Sequence, residues 1–252
     1  MTHSPKVFHL LLFDQQHAVS VDLPPGDAQT QVLGACRQLT DVVTAEAIRR
    51  SQEHGAAITC AAGCGACCRQ IVRITSIEAL ALAKLVAEMP AARQAIIRAR
   101  FAAAMDKLRA AGIVAPAISG QRPRFSIHPP DLTDAEWREF AHAYFKLAIA
   151  CPFLEDESCG IYADRPLICR EYLVTSPVRH CQSLETAQTK TVPLTMQVSE
   201  RLIELIRATD QSSPPTTTLA FALEWAQAGL PAPDLGDAPS ALMMLSLFCR
   251  TQ

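Results

Sequence analysis

The spacing of apolar and polar residues changes along the chain, and each change predicts a structural element. Two short apolar runs within residues 6–23 flank a polar tetrapeptide, which predicts a small β-hairpin. After a Pro-Pro-Gly break, apolar residues recur at helical spacing from Asp27, a capping residue, to about His54. The predicted buried stripe of this long helix consists of Val32, Cys36, Leu39, Val43, Ala47 and Ile48.

Helix start signals recur further along the chain. Thr75–Glu78 and Thr133–Glu136 have the form of capping boxes and predict helices that run to about Met89 and towards Cys151. Pro90 fits the first turn of a further helix that ends near Gly112. Helical spacing predicts the last three helices, at residues 198–208, 218–227 and 240–249.

Three stretches lack a regular period, and we predict a loop at 113–130, a linker at 211–215 and irregular structure at 151–181 with a helical turn near 165–171. The expected fold is mainly α, with a helical domain around a loop-rich metal centre. We divide the chain into an N-terminal hairpin extension, a helical metal-binding domain and a C-terminal helical extension. Their bounds are 1–26, 27–190 and 191–252.

Composition supports the helical fold and argues against several classes of partner. Hydrophobic residues make up 49% of the chain and aromatic residues only 6%, which favours helices over a β-sandwich or barrel. The net charge of −2 gives no basic field that would attract nucleic acid or an anionic membrane. No uncharged apolar run reaches the length of about 18 residues that a membrane span needs. We therefore predict neither a nucleic-acid nor a membrane partner.

Ten cysteines dominate the candidate chemistry, and eight of them form two groups. The first group follows the pattern C-x3-C-x2-C-C, with Gly63 and Gly65 between its members to permit a tight loop. The second group is spread over residues 151–181. Thiolates are soft ligands that suit zinc, copper(I) and iron–sulfur clusters. The predicted metal ligands are Cys60, Cys64, Cys67, Cys68, Cys151, Cys159, Cys169 and Cys181.

We expect the two groups to converge on one centre. Cys67 and Cys68 are adjacent, and neighbouring side chains diverge along an extended chain, so the first group alone is poorly arranged for one ion. Cys36 and Cys249 lie on predicted helices, and we expect them not to be ligands. Clustered cysteines bind metal more often than they pair in a reducing compartment, so we place the protein in the cytoplasm with its thiols reduced.

These residues resemble a known family, the YkgJ-type cysteine-cluster proteins, which are described as zinc- or iron-chelating domains. The family pattern is C-x(2–3)-C-x2-C-C, then C-P-F-L, then C-x-I-Y-x-x-R-P-x-x-C-R, often with one later cysteine. Here the matching residues are 60–68, 151–154 and 159–170, followed by Cys181. The resemblance covers roughly residues 55–182. It implies metal binding and leaves the biological role open.

The sequence is compatible with three functions. The leading one is metal binding, either as an iron–sulfur cluster, which the C-x3-C-x2-C spacing slightly favours, or as structural zinc. The second is a cluster-dependent enzyme, because the C-P-F-L element is also similar to flagellin lysine methylases, which implies methyl transfer to protein lysine from S-adenosylmethionine. The third is a zinc-stabilised interaction module. No catalytic residue and no protein partner or substrate can be assigned from the sequence.

Five residues near the cysteines have a functional and a purely structural interpretation. Arg165 and Arg170 could donate to ligand sulfurs, whereas Arg170 and Glu171 could equally form a solvated surface pair. We expect Tyr162 to belong to the core. His180, next to Cys181, is expected to be exposed rather than bound to metal.

Overall fold

The described part of the chain is mainly helical, as predicted. The structure is a computed structural model that describes residues 5–115, 121, 133–182, 188–229 and 231–250. Within these ranges it contains eight α-helices and three antiparallel two-stranded sheets, β1–β2, β3–β6 and β4–β5. The helices are α1 (Ala28–Glu53), α2 (Ser76–Ala87), α3 (Ala91–Ala110), α4 (Asp134–Lys146), α5 (Leu167–Glu171), α6 (Val198–Thr209), α7 (Ala222–Gln227) and α8 (Ala238–Phe248). The strands are β1 (Lys6–Leu12), β2 (Gln15–Val21), β3 (Arg73–Thr75), β4 (Leu154–Glu155), β5 (Ser158–Cys159) and β6 (Thr216–Thr218).

The predicted N-terminal hairpin is confirmed. Strands β1 and β2 pair in register from Lys6 opposite Val21 to Leu12 opposite Gln15. The two-residue turn between them places Phe13 at φ 48° and Asp14 at φ 62°. Two positive φ values match the twist that a tight hairpin needs, and Asp tolerates that region well.

The first core joins the hairpin to the long helix α1. Asp27 begins this helix by accepting a hydrogen bond from the Thr30 N–H at 2.8 Å. The predicted stripe of α1 is buried, apart from Ile48, which is half-buried. Helices α6 and α8 pack on the same face of α1. Cys36 and Cys249 are both buried in this core, where each serves as a small apolar side chain.

The second core lies around α2, α3 and α7 and supports the cysteine-bearing segment. Phe153 and Ile161 are buried in it, and the ring of Phe153 meets Phe101 of α3 edge to face with centroids 5.4 Å apart. Both residues come from the predicted irregular segment, so the core anchors that segment between its cysteines. No helix in the described part of the chain combines the length and the apolar character that crossing a membrane requires.

Pairing of β3 with β6 was not predicted, and it changes the start of α7. Thr216–Thr218 lies opposite Arg73–Thr75, so the chain is extended where the sequence suggested the first turn of a helix. Residues 219–221 then form a 3-10 turn before α7 begins at Ala222. The helix predicted to run towards Cys151 ends at Lys146. The predicted loop at 113–130 lies mostly outside the described residues.

Glu78 connects two helices through one buried carboxylate. The predicted capping box at the start of α2 is present, because Glu78 accepts from the N–H and the hydroxyl of Thr75, each at 2.8 Å. Its other oxygen accepts the Leu167 N–H at 2.7 Å, the first N–H of α5. Burial raises the pKa of Glu78, while these hydrogen bonds oppose the rise. The side chain therefore fixes α5, which carries Cys169, against the start of α2.

We predict that Glu78→Ala lowers the free energy of unfolding by about 2–4 kcal/mol, because buried donors at Thr75 and Leu167 lose their acceptor. Glu136 is a matched control, since it completes the same kind of capping box at the start of α4 but is exposed. Glu136→Ala should cause a much smaller loss. Chemical denaturation of both variants measures the difference, and equal losses would contradict the link between α2 and α5.

Candidate metal centre

All eight predicted thiols line one cavity of about 310 Å³. They come from both sequence groups, and Cys36 and Cys249 are not among its lining residues. Apolar side chains form much of the remaining wall, including Ile48 from α1, Phe153, and Leu219 from the C-terminal region. Nothing in the sequence predicts that Leu219 lies here, because its position depends on the unpredicted pairing of β3 with β6.

The first cysteine group lies in a loop made of short turns. Gly63 has φ +88°, a value that costs an L side chain free energy, and the Cys64 N–H donates to the Ala61 carbonyl at 3.1 Å. The Cys68 N–H then donates to the Gly65 carbonyl at 3.0 Å. These turns let four thiols face one cavity within nine residues. Cys67 and Cys68 both line this cavity although they are adjacent, because the chain turns at these two residues instead of running extended.

Backbone hydrogen bonds hold the first cysteine loop against the second group from two sides. On one side the Cys151 N–H donates to the Cys68 carbonyl at 2.7 Å. On the other side the Thr59 N–H donates to the Val174 carbonyl at 3.0 Å. The amide of Gln70 also donates to the Cys181 carbonyl at 3.1 Å. The structure thus brings the two groups together around one cavity, while their sharing of one metal centre stays a prediction.

Gly65 allows the closest approach between the loop and the β4–β5 hairpin. A Cβ at this position would lie 2.5 Å from the Glu157 carbonyl oxygen and 2.5 Å from Leu154 Cδ1. An ion pair between Arg69 and Glu157, at 2.5 Å, ties the same two segments at the surface. Only glycine fits this contact without movement of the backbone.

Burial makes most of the cavity thiols poor acids in the metal-free protein. It raises the pKa of Cys151 to about 12 and is also the main cause of the raised pKa values of Cys60, Cys159, Cys169 and Cys181. A metal binds the thiolate, so binding would displace these protons. All ten cysteines are free thiols.

One backbone group already favours a charged sulfur. The Val174 N–H donates to Cys60 Sγ at 3.3 Å, and this hydrogen bond opposes the rise in the pKa of Cys60. Such N–H donors stabilise metal-bound thiolates. In the described part of the chain, no three His, Cys, Asp or Glu side chains are gathered closely enough to hold a metal ion. The thiols thus line the cavity without meeting at a single point, and the ligand set stays a prediction. The donor set, all sulfur within largely apolar walls, fits a thiophilic metal.

The residues around the cavity differ from two sequence expectations. Tyr162 is 44% exposed rather than part of the core, because it lies in a short 3-10 turn at the surface. The interpretation of Arg170 and Glu171 as a solvated pair is wrong, since both are buried. Arg170 pairs with Asp41 at 2.9 Å, and Glu171 accepts from the hydroxyl of Ser199 at 2.5 Å.

His180 does not line the cavity. It is half-buried, and its Nδ1 lies 3.1 Å from the Gln188 carbonyl. His180 is therefore less exposed than expected, and the expectation that it is not a ligand stays a prediction. The sequence also missed Glu78, whose capping box was visible but whose bond to Leu167 was not.

Comparison with family models gives one match, which covers residues 59–194. The matched model is CxxCxxCC, described as a "Putative zinc- or iron-chelating domain". The chain belongs to this family. Its matched region contains the whole of both cysteine groups and covers more than half of the chain. The family supports metal chelation and does not distinguish zinc from iron. Searches of curated proteins and of solved structures found no match.

We predict that Gly65→Ala weakens metal binding and lowers the free energy of unfolding by about 1–3 kcal/mol, because the added methyl group pushes the loop away from the β4–β5 hairpin. Gly112→Ala serves as the control. Gly112 has φ +68° and open space around its Cα, so the change costs about 1 kcal/mol of backbone strain and leaves the cavity intact. Metal content and denaturation curves of both variants test this. Full metal content in Gly65→Ala would show that the close approach is unimportant.

Proposed function

We propose that the protein chelates metal in a polynuclear thiolate centre built from both cysteine groups. The observation that carries the proposal is that eight thiols from residues 60–181 line a single cavity. A structural zinc ion takes four ligands in a tetrahedron. Eight thiols around one cavity therefore exceed the needs of one zinc ion and suit a cluster or a pair of close ions. Residues 27–190 would form the metal-binding domain.

An iron–sulfur cluster is the form that we favour, with zinc as the alternative. All-thiolate ligation and the C-x3-C-x2-C spacing of Cys60, Cys64 and Cys67 suit a cluster. The largely apolar walls would keep water away from it, and burial of this kind is one of the factors that set cluster potentials. Ten free thiols fit a reducing compartment such as the cytoplasm.

A cluster-dependent enzyme is the second candidate, because the cavity is larger than a metal ion requires. A volume of about 310 Å³ lies at the lower end of the range typical for small-molecule sites. The space not taken by the metal could hold part of a substrate beside it. Catalytic turnover of a substrate would support the enzyme, whereas metal binding alone would not.

Anaerobic purification followed by analysis of metal and acid-labile sulfide tests the proposal directly. A brown protein with iron and sulfide supports the iron–sulfur form. A colourless protein with stoichiometric zinc supports the alternative. A protein that holds neither metal after anaerobic purification and reconstitution would refute metal chelation by this cavity.

Single cysteine substitutions test whether both groups serve one centre. We predict that Cys64→Ser and Cys159→Ser each remove most of the bound metal and lower the melting temperature of the metal-loaded protein. Cys68 and Cys151 are 83 positions apart, so closing the loop between them costs about 4 kcal/mol of chain entropy. Metal–thiolate binding of about 10 kcal/mol offsets that cost.

The matched controls are Cys36→Ala and Cys249→Ala. Both residues are buried away from the cavity, so their removal affects packing while metal content stays at the wild-type level. Two independent sites would give a different pattern, with Cys64→Ser and Cys159→Ser each keeping full metal in the other group.

A further inference from the structure

An arginine that pairs with no carboxylate in the described part of the chain lies in the wall of the cysteine cavity. Arg165 is half-buried, and its Nε is fully buried without a hydrogen-bond partner. Among the described residues, no Asp or Glu forms an ion pair with its guanidinium. Because arginine stays protonated at all physiological pH values, this is a permanent positive charge beside eight thiols.

Two arginines near Arg165 each pair with a carboxylate, which distinguishes them from Arg165 within the described residues. Arg37 pairs with Asp164 at 3.2 Å, and Arg170 pairs with Asp41 at 2.9 Å and also donates to the Ala163 carbonyl. Both guanidiniums therefore have a carboxylate partner from this chain. Arg165 lies between Asp164 and the start of α5, and no carboxylate among the described residues pairs with it, so the thiols of the cavity that it lines are candidates for its counter-charge.

Local structure holds the Arg165 side chain in place. Tyr162–Asp164 form a 3-10 turn, in which residues three positions apart lie on the same side. The guanidinium of Arg165 therefore lies over the Tyr162 ring, 4.1 Å from its centroid. Pro166 follows, and α5 begins at Leu167 with its N–H bound to Glu78. The ring orients the cation, and the next helix carries Cys169.

Thiols from both groups are within the electrostatic reach of this cation. Arg165 lines the same cavity as Cys60, Cys67 and Cys159. Cys60 and Cys67 come from the first group and Cys159 from the second. The charge therefore acts at the junction of the two groups.

We propose that Arg165 is the counter-ion of the metal–thiolate centre and that Tyr162 is the platform that positions it. The proposal rests on the proposed function, since the anion that Arg165 neutralises is the metal-loaded cysteine cavity. Four thiolates around one divalent ion leave a net charge of −2, and such charge is costly within apolar walls. A fixed cation reduces that charge and offers N–H donors to the sulfurs.

Removal of this cation should weaken metal binding without unfolding the metal-free protein. We predict that Arg165→Gln lowers the apparent affinity for Zn²⁺ about 10–100-fold, the usual effect of losing a group that supports metal ligands. Arg165→Lys keeps the positive charge but loses the planar guanidinium with its several N–H donors, so it should restore part of the affinity for Zn²⁺. Competition with a coloured chelator gives the affinities. Circular dichroism melts of the metal-free proteins should coincide with wild type.

Two further comparisons test whether the Tyr162 ring positions Arg165, and whether loss of any nearby positive charge has the same effect. Tyr162→Phe keeps the ring and should bind Zn²⁺ like wild type, whereas Tyr162→Leu should weaken binding severalfold. Arg37→Gln removes a nearby positive charge outside the cavity and should leave the affinity within about twofold of wild type.

For protein loaded with an iron–sulfur cluster, Arg165→Gln should lower the reduction potential, because a nearby cation favours the added electron.

Failure of the counter-ion role can be distinguished from failure of the proposed function. Failure of the wild-type protein to bind any metal overturns the proposed function. Wild-type metal binding with an unchanged affinity in Arg165→Gln overturns only the counter-ion role. An equal loss in Arg37→Gln, or no restoration by Arg165→Lys, would also overturn that role.

Discussion

The cysteine loop at residues 60–68 has no regular structure of its own, so its shape depends on the segments that hold it. One backbone hydrogen bond joins Cys151 to Cys68, and another joins Thr59 to Val174. These bonds satisfy backbone groups that would otherwise be buried without partners. Gly65 allows the β4–β5 hairpin to lie directly against the loop. The thiols share a cavity because the chain is fixed on both sides of them.

Regular elements support this junction from a distance. Phe153 and Ile161 anchor the second group in the core around α2 and α3. Glu78 then fixes the start of α5, which places Cys169 relative to that core. A substitution in these supports would disturb the cavity although none of them carries a thiol. Packing therefore couples the shape of the cavity to global stability.

Sequence patterns predicted most helices and all eight cavity thiols, because those features are written in local spacing. Capping residues such as Asp27 and Thr75 fixed where helices begin. The pairing of β3 with β6 could not be predicted, since three-residue strands give no periodic signal and their partners are over 140 positions apart. Burial of Arg170 likewise depends on a tertiary contact, its ion pair with Asp41, and exposure of Tyr162 depends on where the fold places its 3-10 turn.

The long separation of the two cysteine groups has a consequence for synthesis of the protein. A ribosome adds about 5–20 residues each second, and 113 residues separate Cys68 from Cys181. The first four thiols therefore leave the ribosome roughly 6–23 s before the last of the second group. During that interval the nascent chain presents a glycine-rich thiol loop with no partner segment to cover it. Oxidants and stray metal ions can reach these thiols before the cavity exists, so the reducing power of the surrounding compartment decides how many chains mature correctly.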